Sequence, residues 1–214
     1  MNQPTYILLS SAYLPPIQYV SKFLLYDQVF IEKHENYQKQ SYRNRCYIYG
    51  ANGRQCLVIP VKKQKSEKIP VTEVEIDHEK NWQKIHLKSI ESAYRLSPFY
   101  EYYVDDFTSC FMMKTYYLFE WNLNLLKTIL DLLDIKSHIS LTGAFEKKTF
   151  TCHDMRQSIH PKDRLAMPDK YFQPIPYQQV FQERFGFIAN LSITDLLFNE
   201  GPLAKEVLKK SVKS

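Results

Sequence analysis

The chain is 214 residues long, with 28 lysines and arginines against 23 acidic residues, a formal charge of +5 and 44% hydrophobic residues. Those figures suffice for one compact core without metals or disulfides, and the near balance of charge argues against a dedicated nucleic-acid binder. No run approaches the roughly 20 apolar residues of a membrane span, and Met1-Asn2-Gln3-Pro4 lacks the basic and apolar regions of a signal peptide. A cytoplasmic protein whose four cysteines stay reduced is therefore expected.

Thr5 to Leu9 reads as a buried strand, broken by Ser10 to Pro16 before a helix with an inner face of Ile17, Val20, Phe23 and Leu24. Gln28 to Glu32 reads as a second strand of the same sheet. Asn52-Gly53 between apolar runs signals a hairpin over Arg45 to Val61. With Asn52-Gly53 as the two-residue turn, Cys46 faces Ile59 and Cys56 faces Tyr49, so the two thiols lie on opposite faces and should not bond.

Val71 to Ile76 alternates like a strand, and Asn81 to Leu96 has helical spacing, with Trp82, His86 and Ile90 on one face. A long apolar helical region is expected from about Asp105 to Ile135. Ser137 to Leu141 is a short strand, and Lys147 to Pro176 carries no clear periodicity. Tyr177 to Phe181 reads as a last strand. Ser192 with Asp195 approximates a capping box for a helix that Gly201-Pro202 ends, and Pro202 opens a final helix. The fold class expected is α/β: a mixed sheet with a β-hairpin, flanked by helices, in one domain over 1–214, with room for a helical subdomain at about 97–136.

Five glycines build neither a P-loop nor a dinucleotide fingerprint, and no nucleophile elbow, zinc-protease motif or paired C-x-x-C is present. Cys152-His153-Asp154 with His160 has metal-ligand types at no standard zinc spacing. No cofactor and no metal are expected. Lys33, Lys39, Arg43, Arg45, Arg54, Lys62, Lys63, Lys65 and Lys68 crowd one stretch, which favours a small anionic ligand or is simply a solvated face.

The segment from Glu35 to Arg45 has almost no aliphatic residue, yet links a buried strand to a buried hairpin. Arg43 and Arg45 offer planar forks for phosphate or carboxylate, Asn44 can read a polar edge, and Tyr37 offers a flat surface. The bland alternative is a structural loop whose arginines pair with acids elsewhere. The loop Ser10 to Pro16, at a strand's carboxyl end and before a helix, is a second place for an anion. His86, on a mostly apolar face, is either a general base with a depressed pKa or a hydrogen-bonded core residue.

Taken together, Tyr13-Leu14-Pro15-x-x-x-Tyr19-x-x-Lys22, Lys39-x-Ser41-x-Arg43-Asn44-Arg45, Ala51-Asn52-Gly53, Val58-x-Pro60-Val61, Trp82-x-x-x-His86 and Ser192-Ile193-x-Asp195-x-Leu197-Phe198-Asn199-x-Gly201 resemble the WbqC-like proteins. The resemblance covers nearly the whole chain and implies a place among the makers of bacterial O-antigen and other surface polysaccharides. It adds Asp195 and Asn199 to the residues expected at the substrate. Ser10-Ser11-Ala12 stand where the family's common opening has Gln-Pro-Asn, which implies another substrate if those positions bind it in the family.

The function expected is a transferase acting on a nucleotide-activated or lipid-linked sugar, with acyl or aminoacyl transfer to an amino sugar as the reaction. Lys39, Arg43 and Arg45 would neutralise phosphate, Tyr13 and Tyr37 would flank the sugar or base, and His86 would be the base. The alternative is a non-catalytic binding or assembly protein of the same pathway.

Overall fold

The computed structural model describes residues 6–63, 66, 68–147 and 152–213. Thr5 of the expected first strand, Lys65 of the basic run and 148–151 of the unassigned stretch lie outside them. Strand β1 (Tyr6–Ser10) leads through helix α1 (Ile17–Leu25) into β2 (Gln28–Glu32), and the two strands pair in parallel from Tyr6↔Gln28 to Ser10↔Glu32. Strand β3 (Arg45–Gly50) turns into β4 (Gly53–Val58) as a separate antiparallel hairpin. Helices α2 (Trp82–Tyr94), α3 (Tyr100–Met112) and α4 (Leu118–Leu132) follow. Strands β5 (His138–Leu141) and β6 (His153–Asp154) then complete a parallel sheet of order β5-β2-β1-β6. The chain ends with α5 (Gln182–Phe185), α6 (Ile193–Glu200) and α7 (Ala204–Ser211).

The sheet is built on strand periodicity. Ile7, Leu9, Val29 and Ile31 are all sealed from solvent on the face that meets α1, where the α1 C-cap residue Tyr26 bonds His153 of β6. The hairpin alternates likewise. Cys46, Ile48 and Leu57 enter the core, while Arg45, Cys56 and Val58 face outward. The apolar faces of α2, α3 and α4 join the same core as the sheet.

Several expectations need correction. The hairpin register is Cys46↔Leu57 and Tyr47↔Cys56, because Ala51-Asn52 form the turn and Gly53 follows it with φ +94°. The shift is even, so the cysteines stay on opposite faces, and both are free. The long apolar helix is two helices. Residues 113–117 between them run extended so that the Ile76 N–H bonds the Tyr116 carbonyl, with a bridge Glu75↔Tyr117.

The strand expected at Val71 to Ile76 is reduced to isolated bridges at Glu75 and Ile76, its first half being taken by a turn. Val71–Glu73 forms a 3₁₀ turn after Pro70 and donates from Val71 N–H to the Glu35 carbonyl. Tyr177 to Phe181 is not a strand, because Tyr177 and Gln179 turn inward to bond Asp195. Helix α6 begins as expected, with Ser192 Oγ accepting from Thr194 N–H, and ends at Gly201 with φ +54°.

Candidate functional site

In an open parallel sheet, ligands sit beyond the carboxyl ends of the strands, where loops converge. In this chain those ends are Ser10, Glu32, Leu141 and Asp154, and they meet a dense charged network. The Arg43 guanidinium grips Glu35 with Nε to Oε1 at 2.8 Å and Nη2 to Oε2 at 2.5 Å, and Nη2 also donates to Ser10 Oγ at 2.6 Å. Arg156 donates from Nη1 to Glu32 Oε2 at 2.8 Å, and from Nη2 to Asp154 Oδ2 at 2.6 Å and to the Glu146 carbonyl at 2.7 Å. The other Glu32 oxygen accepts from His34 N–H and Thr142 Oγ1, both at 2.7 Å.

Arg43, Glu35, Glu32 and Arg156 are all buried. Three carboxylates face two guanidiniums in this layer, so it is negative by one charge and its donors are committed. It frames the strand ends and does not attract an anion. Between Ser10, Ser11, Tyr42, Arg43 and Arg156 lies a void of about 10 Å³, at the threshold of what one water needs. Ser11 Oγ, also buried, has no protein partner among the described residues.

An outer layer of opposite character lies over this frame, where the segments 33–45 and 156–167 meet. Lys162 Nζ donates to Gln40 Oε1, tying one loop to the other, and Lys162 N–H donates to His160 Nδ1 at 3.1 Å. Burial holds the His160 imidazole below its ordinary pKa, and the charges of Lys162, Arg43 and Arg45 press in the same direction. Tyr37 is pushed up to about 12 by burial, against the pull of Arg45 and Arg43. Arg45 is half-buried and its Nε has no partner among the described residues, and Arg54 lies 3.8 Å over the Tyr47 ring beside Tyr42. Arg45 and Lys162 therefore form a cationic surface that also carries the Tyr37 ring and the uncharged imidazole of His160.

The residues singled out in the sequence divide among five environments. Tyr37 and Arg45 belong to the outer layer, with Lys39 exposed on the same segment. Arg43 is in the frame, as a structural ion-pair member rather than a free fork. Asn44 staples the hairpin base, donating from Nδ2 to the Ile59 carbonyl at 3.0 Å.

Tyr13 and His86 pair in the aromatic core. The Tyr13 hydroxyl lies 2.7 Å from Nδ1, the His86 ring also bonds the Val58 backbone, and the Trp82, Tyr13 and Phe111 rings stand 5.2, 5.6 and 6.5 Å away. His86 is 4% exposed, and burial depresses it to about 4. That enclosure is the environment of a core histidine.

Asp195 and Asn199 lie in a separate buried cluster on α6. Asp195 Oδ2 accepts from Tyr177 Oη at 2.5 Å and from Gln179 Nε2 at 2.9 Å, and Asn199 Nδ2 donates to the Asp195 carbonyl at 2.7 Å. Burial raises the Asp195 carboxyl to about 6. A further polar feature, the motif residue Lys22, is sealed beneath α1 with Asp169 at 2.5 Å.

Sequence reasoning missed Arg156, Glu32 and Lys162. Arg156 and Lys162 come from the stretch without periodicity, and Glu32 reads as an ordinary strand end. His160 carried a signal, since it stood out as a metal-ligand type. Among the described residues no group of three or more His, Cys, Asp or Glu is placed to hold a metal, and no helix is long and apolar enough to cross a membrane.

Comparison with known proteins places this geometry in a family. Residues 10–165, which run from the last residue of β1 through β6 and hold nearly all of both loops of the site, match the model described as the WbqC-like protein family. A relative in Mycobacterium tuberculosis, the uncharacterized protein Rv1507c, is 24% identical over 218 residues, covering 92% of this chain and 91% of the relative. No solved structure matches.

Proposed function

We propose, from the premise that this chain belongs to the WbqC-like protein family, that it binds a phosphate-bearing sugar, nucleotide-activated or lipid-linked, during synthesis of a bacterial surface polysaccharide. The observation that carries the reading is the cationic pair Arg45 and Lys162 with the rings of His160 and Tyr37, set over the carboxyl ends of a parallel sheet. Such a layer suits a diphosphate, and tyrosine rings suit a sugar or base. The pathway comes from the resemblance.

A transferase that passes an acyl or aminoacyl group to an amino sugar is the enzymatic form of this reading. In it Arg45, Lys162 and Lys39 would neutralise phosphate while Arg43 holds the loop in place. The enclosure of His86 favours the second form, binding without chemistry, because a base must reach the proton it takes. We assign His86 to the framework in both forms, and likewise Tyr13, Asn44, Asp195 and Asn199.

A thermal-shift panel of nucleoside-diphosphate sugars and sugar phosphates tests the reading. A ligand at 100 times its dissociation constant adds about 2.7 kcal/mol, and Arg45→Ala should abolish that response without unfolding the apoprotein. A panel without any response, or one that Arg45→Ala leaves intact, removes the assignment. Turnover of the responding ligand with an acyl donor, in wild type and in His86→Gln, separates the enzymatic form from the binding form.

A further inference from the structure

Parallel sheets are ordinarily covered on both faces. Here α1 covers the face of Ile7 and Val29, while the opposite face carries Tyr6, Leu8, Phe30 and Glu32 and bounds a cavity of about 610 Å³. That volume lies within the range of small-molecule sites. Its floor is flat and apolar, made by Leu8 and by Phe30, whose ring meets Tyr6 edge-on at 6.2 Å. Gln28 brings an amide to it, whose oxygen can accept from a ring hydroxyl or an ammonium, while its Nε2 is held by Ser140 and the Thr142 hydroxyl by Glu32 and the Lys33 N–H.

The charge of the lining is one-sided. Glu32 and Glu146 border the cavity, and among the described residues its lining holds no lysine, arginine or histidine. Glu32 is committed to Arg156, so the charge open to a ligand is that of the exposed Glu146. The Glu32–Arg156 pair also separates this cavity from the void beneath the cationic layer, since Glu32 lines the one and Arg156 the other. An anion is disfavoured here for the same reason that it is favoured on the far side of the pair.

We infer that this cavity is a second ligand site, and that it takes a hydroxylated ring bearing an ammonium group, the chemistry of an amino sugar. The choice of a sugar ring rests on the proposed function, whereas the location and the charge preference rest on the cavity alone. Two sites of opposite charge on either side of one ion pair suit a protein that brings a phosphate-bearing sugar and an amine-bearing sugar together.

The test uses three probes that share one ring and differ in charge: glucosamine with its amine protonated, glucose and glucuronate. Saturation-transfer NMR on the full chain should rank glucosamine above glucose by about fivefold in affinity, the size of one surface charge pair, with glucuronate weakest. Ala144→Trp, an exposed change at the lining, should abolish the glucosamine signal, and Glu146→Gln should reduce glucosamine to the level of glucose. Equal binding of the three probes, preference for glucuronate, no binding, or glucosamine binding that survives Ala144→Trp would each overturn the inference. Response to nucleoside-diphosphate sugars is read in parallel: its retention in Ala144→Trp and loss in Arg45→Ala keep failure here distinct from failure of the proposed function.

Discussion

The guanidinium of Arg43 closes on the carboxylate of Glu35 along two bonds, 2.8 and 2.5 Å long, with both side chains shielded from water. Removing the arginine strands a buried carboxylate, a change that costs about 3–5 kcal/mol. Arg43→Ala should therefore lower the urea midpoint sharply, contrary to what its place in an aliphatic-free loop implies. Arg45→Ala, two residues on and half-exposed, should move stability by less than about 1 kcal/mol. Comparable losses in the two variants would contradict the division into frame and outer layer.

His86 and Asp195 should give opposite pH dependences. Burial depresses His86 from an ordinary value of ~6.5 to about 4, so the unfolded chain takes the proton first as pH falls, and stability is lost across that window on acidification. Burial raises the Asp195 carboxyl from ~3.9 to about 6, so the folded chain takes the proton first, and stability is lost as pH rises through about 6. Each effect is worth roughly 3 kcal/mol in full, and the two offset each other. Relative to wild type, Asp195→Asn should grow less stable as pH falls from 6 to 4, and His86→Gln should grow more stable. Chemical denaturation across that range gives both difference curves, and parallel curves would refute the assignment.

Gly201 ends α6 with φ +54°, and a Cβ built on it would lie 2.4 to 2.6 Å from the Phe99 ring. Strain of about 1–3 kcal/mol from the left-handed backbone adds to that clash. Gly201→Ala should lower the melting temperature by several degrees, and Gly143→Ala, with open space around it, should not. A neutral Gly201→Ala would contradict the α6 geometry.

All four thiols should titrate in unfolded protein without reductant. In the native state Cys56 and Cys152 should react quickly, and Cys46 and Cys110, which are buried, should wait for opening. Fast labelling of Cys46 would mean that the hairpin register is wrong.

The parts of the fold that follow from periodicity were readable from sequence. Val29, Phe30 and Ile31 form a β-prone apolar run between polar ends, and Ile17, Val20 and Phe23 recur at helical spacing, so β2 and α1 emerge without tertiary information. The segments that depend on distant backbone partners did not. Residues 113–117 break a helical pattern to pair with Glu75 and Ile76, and Tyr177 and Gln179 leave a strand pattern to bond Asp195. The site was half legible for the same reason. Arg45 and Tyr37 stand out in a loop without aliphatic residues, but Arg156 and Lys162 come from a stretch with no period and find their partners across more than 100 residues of chain. The commitment of Arg43 to Glu35 follows from loop geometry that seven intervening positions do not disclose.

The proposed location of the ligand at the carboxyl edge of the sheet is open to chemical-shift mapping of backbone amides on titration with UDP-glucose or the panel's best nucleoside-diphosphate sugar. Saturable shifts should concentrate at residues 37–45 and 156–162, with Arg45 and His160 among the largest, and Arg45→Ala should remove them. Shifts gathered instead around Asp195 and Tyr177, or along α2 and α3, would contradict it.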